Sequence, residues 1–389
     1  MLDFASRVKH LEMEGAYVVM AHAQELEAQG KDIVHLEIGQ PDFKTFPHIS
    51  ISAVGAIAAG YTRYSPSAGI PPLREAVAKD AGERRGVSFN PKQVVVFPGA
   101  KPGLFFSTLA LIQPGDEVIY PDPGFPTYAA MIGVAGGKPV PVPLREENDF
   151  SFALKEFDRL ISPKTRLIIL NSPNNPTGGI MSLSDLEHIA AAAKKNNTWV
   201  ISDEVYSRLV YEGETAPSIV KVPGMAERTI VVDGFSKTYA MPGWRLGYAI
   251  MPEELAERVE LLVNHSVGCT ATFTQMAGVT ALTESQTQVD EMVEEYKRRR
   301  DLMIDGLNVI PGIQCRKPQG AFYAFPNVKS FGIPVSILAD RLLEEAGVAT
   351  LAGTNFGATG EGYLRLCYAT NPDQIDEALR RMADFFAKL

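Results

Sequence analysis

At 389 residues the chain exceeds the length at which one hydrophobic core usually keeps growing, so a large domain plus a smaller one is expected. A hydrophobic content of 46% with 21% charged residues is that of a folded globular protein and excludes a disordered chain. The formal net charge of -9 excludes nucleic acid as the main partner, because binding a phosphate backbone needs a basic face.

The N-terminus, Met1-Leu-Asp-Phe-Ala-Ser-Arg-Val-Lys-His10, lacks the apolar core of a signal peptide, and no later run reaches membrane-spanning length. Cys269, Cys315 and Cys367 are an odd, scattered set without metal-type spacing, which favours a reducing, cytoplasmic setting and no metal site. A short helix is expected from Tyr17 to Gln29, closed by Gly30, then an apolar strand from Ile33 to Ile38. Gly39 ends that strand, where a glycine either lets the backbone approach a ligand or simply makes a turn. Helices follow from Pro47 to Ala59 and from Pro71 to Arg85, each stopped by a glycine; between them runs a loop carrying Tyr61 and Tyr64, aromatics of the kind that make outside contacts.

From Gln93 the chain repeats strand, glycine turn, helix. Val94 to Phe97 reads as a buried strand, Pro98-Gly-Ala-Lys-Pro-Gly103 as the turn, and Leu104 to Ile112 as the helix. Small residues at such a turn leave backbone N–H groups free for a phosphate, although an ordinary connection looks the same. Neither G-x-G-x-x-G nor G-x-x-x-x-G-K-[ST] occurs, which lowers dehydrogenase and NTPase readings. Strands are expected over Glu117 to Tyr120, Lys138 to Val142, Thr165 to Leu170 and Thr198 to Ser202, with a helix from Asp185 to Asn196 behind the capping box Ser184-Asp-Leu-Glu187. This alternation predicts an α/β fold with a mostly parallel sheet and helices on both faces, in which ligands gather beyond the carboxyl ends of the strands.

Several of those strand ends carry chemistry. Phe125 follows one and suits either a flat ring or the core. Asn171-Ser-Pro-Asn-Asn-Pro-Thr-Gly-Gly179 is a stiff loop presenting Asn175. Asp203 and Tyr206 follow another strand; alone, Asp203 reads as a helix cap, but a buried carboxylate there wants a cationic partner such as a protonated pyridine nitrogen. Thr229 to Val232 then leads into Asp233-Gly-Phe-Ser-Lys-Thr-Tyr-Ala-Met-Pro-Gly-Trp-Arg245. There Lys237 can form an imine with a carbonyl, while Ser236 and Arg245 suit a phosphate beside it. Pyridoxal phosphate unites an aldehyde, a pyridine nitrogen and a phosphate in one molecule.

Asn-Ser-Pro-Asn-Asn-Pro-Thr-Gly, Ser-Asp-Glu-Val-Tyr and Ser-Lys-Thr-Tyr-Ala-Met-Pro-Gly-Trp-Arg-Leu-Gly, in that order, resemble the fold-type I, pyridoxal-phosphate-dependent aminotransferases of class I/II, and the likeness runs from about Leu36 to Tyr368. The resemblance implies a three-layer large domain over 47–285 and a smaller α/β domain from 1–46 and 286–389. That second part is expected to hold a charged helix from Gln288 to Leu307 and to end in a helix from Pro372 to Lys388. The resemblance further implies that Lys237 holds the cofactor aldehyde, Asp203 its ring nitrogen, and Asn175 and Tyr206 its phenolic oxygen. Phe125 would stack on its ring, and Ser236, Arg245 and the turn Gly99-Ala100-Lys101 would hold its phosphate. By the same likeness Arg365, with Gly39 and Asn175, grips the substrate α-carboxylate, and Tyr64 reaches the phosphate of a neighbouring subunit, so a homodimer is implied.

The implied reaction is a two-stage exchange between an amino acid and a 2-oxo acid. Lys101 stands where the bacterial aspartate aminotransferase subgroup places a lysine for the distal carboxylate, favouring aspartate and glutamate. Phe125 replaces the tryptophan usual in that subgroup, which keeps alanine, aromatic and branched-chain transamination in view. A carbon–sulfur β-lyase would share every cofactor residue. A ligand-sensing regulator would carry a DNA-binding domain, for which the residues before Tyr17 are too few.

Overall fold

The computed structural model describes residues 3–9, 11–213 and 215–389. Among them the strands are, in chain order, β1 (Val34–His35), β2 (Val94–Phe97), β3 (Glu117–Asp122), β4 (Lys138–Pro143), β5 (Thr165–Asn171), β6 (Trp199–Asp203), β7 (Thr229–Gly234), β8 (Gly247–Ile250), β9 (Tyr323–Ala324), β10 (Val348–Ala349), β11 (Leu351–Ala352) and β12 (Leu364–Cys367). Seven of them form one sheet in the order β2-β8-β7-β6-β5-β3-β4, parallel except where β8 runs against β2 and β7. Burial on both faces explains why these strands are almost wholly apolar. In β5, Leu167 and Ile169 pack on one side with Leu104, Val259 and Val263, while Ile168 and Leu170 pack on the other with Leu186, Ile189 and Ala193. The result is the expected three-layer α/β arrangement.

A second group of elements lies outside this sheet. β11, β12 and β9 form an antiparallel sheet, and β1 pairs in parallel with β10. A third core joins them to the helices Pro71–Arg85, Thr287–Asn308 and Pro372–Phe386 through Val77, Tyr296, Met303, Leu364 and Phe385. Behind the ends of β6 and β7, Arg85 donates to Glu204 (2.7 Å) and Asp233 (3.0 Å), all three side chains buried. Ser202 and Ser218 hydroxyls complete the Glu204 carboxylate. A buried charge is tolerated when its lone pairs and protons are matched in this way, and the network ties both strand ends to helix Pro71–Arg85.

Three local expectations are corrected. The helix placed at Leu104 begins at Ala100, because Pro102 sits in its first turn, where a missing N–H breaks no bond. Helix Leu183–Lys195 is capped by Ser182, whose hydroxyl accepts from the Asp185 N–H (3.1 Å), not by the box at Ser184; either serine satisfies the pattern and Ser182 adopts the extended cap conformation. The strand expected over Ile33 to Ile38 shrinks to Val34–His35, since β10, with which it pairs, is equally short.

Candidate active site

The carboxyl ends of β2, β3, β5, β6 and β7 lie along one edge of the large sheet, and residues at or just beyond them carry most of the expected chemistry. In register, Asn171 lies beside Asp203. Asp203 closes β6 and is no helix cap: it is buried, and its Oδ2 accepts the Tyr128 hydroxyl proton at 2.6 Å. Burial pushes its carboxyl up to about 6, against the pull of that hydroxyl and of the Val205 N–H. Around it the Asn171–Gly179 loop is fixed by its own side chains. The Asn175 N–H donates to Asn171 Oδ1 (2.9 Å), Asn171 Nδ2 donates to the Asp203 carbonyl (3.1 Å), and Thr177 donates to Asn174 Oδ1 (2.9 Å).

Lys237 lies in a single helical turn, Phe235–Thr238, directly after β7. Its amine is part-buried, donates to the Gly39 carbonyl (2.5 Å) and stands 5.8 Å from the Tyr206 ring and 5.5 Å from the Phe322 ring. Burial lowers it to about 8, assisted by the positive charges of Arg365, Arg245 and Lys101. Gly39 therefore meets the site with its carbonyl, and a side chain there would collide with the Tyr323 hydroxyl at 2.1 Å. The Tyr206 and Tyr323 hydroxyls share a hydrogen bond of 2.6 Å, and burial raises both phenols.

Gly99 has a φ of +93°, and a Cβ on it would fall 2.2 Å from an Arg245 nitrogen. Gly247 lets the backbone of Gly99 and Ala100 lie against β8; a Cβ there would meet the Ala100 nitrogen at 2.4 Å. The N–H end of helix Ala100–Leu111 packs at the end of β7, where a Cβ on Gly234 would lie 3.5 Å from Ala100 Cβ, and the Arg245 guanidinium, which also donates to the Pro242 carbonyl (2.8 Å), lies beside Gly99; together they are a donor set that fits a phosphate. Arg365, in β12, is 3% exposed; it donates to Asn175 Oδ1 (3.4 Å) and the Glu37 carbonyl, with its guanidinium 4.6 Å from the Tyr323 ring. Its buried Nε has no acceptor among the described residues, which suits a carboxylate ligand. A depressed amine, a buried carboxylate, and a glycine–arginine cradle beside them match the aldehyde, ring nitrogen and phosphate of pyridoxal phosphate, so the residues present fit that group.

The structure also brings in residues that the sequence did not single out. Tyr128 stands three residues after Phe125 and packs edge-on against it, with ring centroids 5.8 Å apart; nothing in the local sequence indicates its bond to Asp203. Tyr323 and Glu14 carry no local signal, since each meets the site from a distant part of the chain. Lys101 is bonded through its amine to Glu14 and stands 5.0 Å from the Phe125 ring. Tyr64 is 99% exposed in the single chain, and Ser236 is part-buried beside Lys237.

The family model described as "Aminotransferase class I and II" matches residues 31–382. An "Aromatic-amino-acid aminotransferase 2" of Thermococcus litoralis is 42% identical over 91% of this chain and 92% of its own length. An "Aspartate aminotransferase" of Pyrococcus abyssi is 41% identical over 92% of both. Among solved structures, the aspartate aminotransferase from Thermus thermophilus with maleate superposes with a TM-score of 0.94 at 38% identity, covering 99% of this chain and 100% of that one.

Proposed function

The chain belongs to the class I and II aminotransferases, and from that premise we propose that it moves the amino group of aspartate or glutamate to a 2-oxo acid with pyridoxal phosphate held at Lys237. The transfer of amino groups between amino acids and 2-oxo acids follows from the family itself; the substrate preference and the residue roles are our reading. One observation carries it: the Lys237 amine, lowered to about 8, sits against the Gly39 carbonyl between Tyr206 and Phe322.

When bound, pyridoxal phosphate supplies an aldehyde for the amine and a ring that draws electrons from the substrate α-carbon. Lys237 supplies the rest of the acid–base chemistry. An amine that titrates near 8 is partly neutral at cellular pH, so Nζ could attack a carbonyl and could carry a proton away from the substrate α-carbon and return it. Asp203, desolvated but ionisable, would hold the ring nitrogen in its protonated state. Asn175 and Tyr206 would address the ring oxygen, Phe125 would stack on the ring, and Ser236, Arg245 and the backbone of the turn Gly99-Ala100-Lys101 would hold the phosphate. Arg365 orients the α-carboxylate with a planar fork that a lysine lacks. The buried Phe322 and Tyr206 rings beside the Lys237 amine, with Tyr323 bonded to Tyr206, would limit water there.

Lys101 supports a distal carboxylate, because its amine, 44% exposed, stands 5.0 Å from the Phe125 ring. A homodimer is supported by an apolar stripe on helix Pro47–Ala58, where Ile51, Val54 and Ile57 are 70, 67 and 50% exposed, followed by the exposed Tyr64. The large domain over 47–285 and the small one from 1–46 and 286–389 agree with the grouping of the sheets. No helix among the described residues is long and apolar enough to cross a membrane, and the three free cysteines suit the cytoplasm. The test is a half-reaction survey: holoenzyme mixed with single amino acids, following cofactor absorbance. Aspartate and glutamate should react fastest; a panel led by alanine or leucine overturns the preference.

A further inference from the structure

Lys101 does not stand alone at the cleft. Its amine donates to Glu14 Oε1, and the same oxygen accepts the Thr127 hydroxyl proton at 3.3 Å. The two side chains are 44% and 26% exposed, so the pair is wet enough to exchange partners and dry enough to matter. Glu14 is held in place by its neighbour. A Cβ on Gly15 would fall 2.2 Å from Asn355 Oδ1, so the start of helix Gly15–Ala28 packs closely against the Asn355 side chain of the turn Gly353–Phe356. That turn follows β11, which pairs with the strand bearing Arg365. The carboxylate on Lys101 thus comes from a segment docked against the substrate-carboxylate side of the cleft.

We infer that Glu14 is a specificity-determining residue, an internal competitor for the distal carboxylate of the substrate; this rests on the reading of Lys101 given above. With an acidic substrate, Lys101 exchanges Glu14 for the substrate carboxylate, and Glu14 turns to water and Thr127. With a neutral or aromatic substrate the pair stays closed. Its cation is already neutralised when an apolar side chain packs beside Phe125, so no bare charge has to be desolvated there. One pocket can then accept both dicarboxylic and aromatic amino acids, with Glu14 setting the balance.

The test uses holoenzyme, its Glu14→Gln, Glu14→Ala, Lys101→Ala and double variants, and two unreactive ligands: maleate and 3-phenylpropionate. Dissociation constants come from calorimetry, and kcat/KM from aspartate and phenylalanine. Glu14→Gln and Glu14→Ala should tighten maleate roughly 2- to 5-fold, the scale of a half-exposed ion pair, and raise the aspartate-to-phenylalanine ratio by at least as much. The gain should shrink in high salt and vanish in the background of Lys101→Ala. Lys101→Ala alone should weaken maleate while leaving 3-phenylpropionate nearly unchanged. If Lys101→Ala is selective but the Glu14 variants leave maleate unchanged or weaker, the competitor role is wrong and the Lys101 reading stands. If Lys101→Ala weakens both ligands equally, the Lys101 reading itself fails and the inference with it.

Discussion

Replacing Arg365 with lysine probes the substrate end of the site most cleanly, because it keeps the charge and removes the fork. The guanidinium is 3% exposed, tied on one side to Asn175 Oδ1 and the Glu37 carbonyl, and its Nε–H has no acceptor among the described residues. An α-carboxylate bridging Nε and a terminal nitrogen would make two charge-assisted hydrogen bonds, of which lysine can replace one. Losing a hydrogen bond between charged groups costs about 1.5–3 kcal/mol, hence roughly 10- to 150-fold in kcat/KM. The interaction exists in ground and transition states alike, so the loss should appear chiefly in KM. The assay is steady-state kinetics with several amino acids, alongside thermal unfolding and cofactor titration to confirm an intact fold. A change within threefold, or a loss of the same size in cofactor affinity, would refute the carboxylate role and leave Arg365 as a strut between β12 and the Asn171–Gly179 loop.

Tyr128→Phe removes a donor from buried Asp203, whose carboxyl already titrates up at about 6. The variant's folded-state value rises further, so its cost, about 1–3 kcal/mol, should be small where the carboxyl is protonated and grow as pH climbs past 6. Urea denaturation of cofactor-free protein at pH 5 and pH 8 measures this, and equal costs at both would contradict it. His35 is raised from 6.5 to about 9 by its hydrogen bond to Glu37, with burial opposing and Glu27 assisting. A raised folded value stabilises fully below about 6.5 and ceases to do so as pH rises through 9. Because the imidazole is 38% exposed, screening keeps the effect below about 1 kcal/mol. The stability gap between wild type and His35→Gln should therefore narrow from pH 6.5 to 10; a constant or widening gap would show that the pair contributes no charge term.

The large sheet was legible because both of its faces are covered: its strands are uninterrupted apolar runs bounded by glycine, proline and asparagine, as at Val94–Phe97 and Thr229–Gly234. The chemistry at the strand tips was legible for a related reason, since a carboxylate or lysine directly after such a run has no water to face and needs a partner. What the sequence concealed is what comes from afar. Lys101 and Glu14 are 87 positions apart, and Tyr206 and Tyr323 are 117 apart, so no local pattern links them. Arg365 read alone is one more strand arginine; only its family likeness pointed inward, and a buried Nε with no acceptor among the described residues is consistent with that likeness. Local capping misled at Ser184, where Ser182 two residues earlier presents the same hydroxyl in the better backbone conformation.

The central claim is that a single amine, softened by burial at the end of β7, carries the cofactor. Borohydride reduction of the holoenzyme followed by peptide mapping tests it directly. The account predicts one reduced adduct, on Lys237, and none in Lys237→Ala; an adduct on Lys101 or any other lysine, or none at all in folded, cofactor-supplied protein, would contradict it.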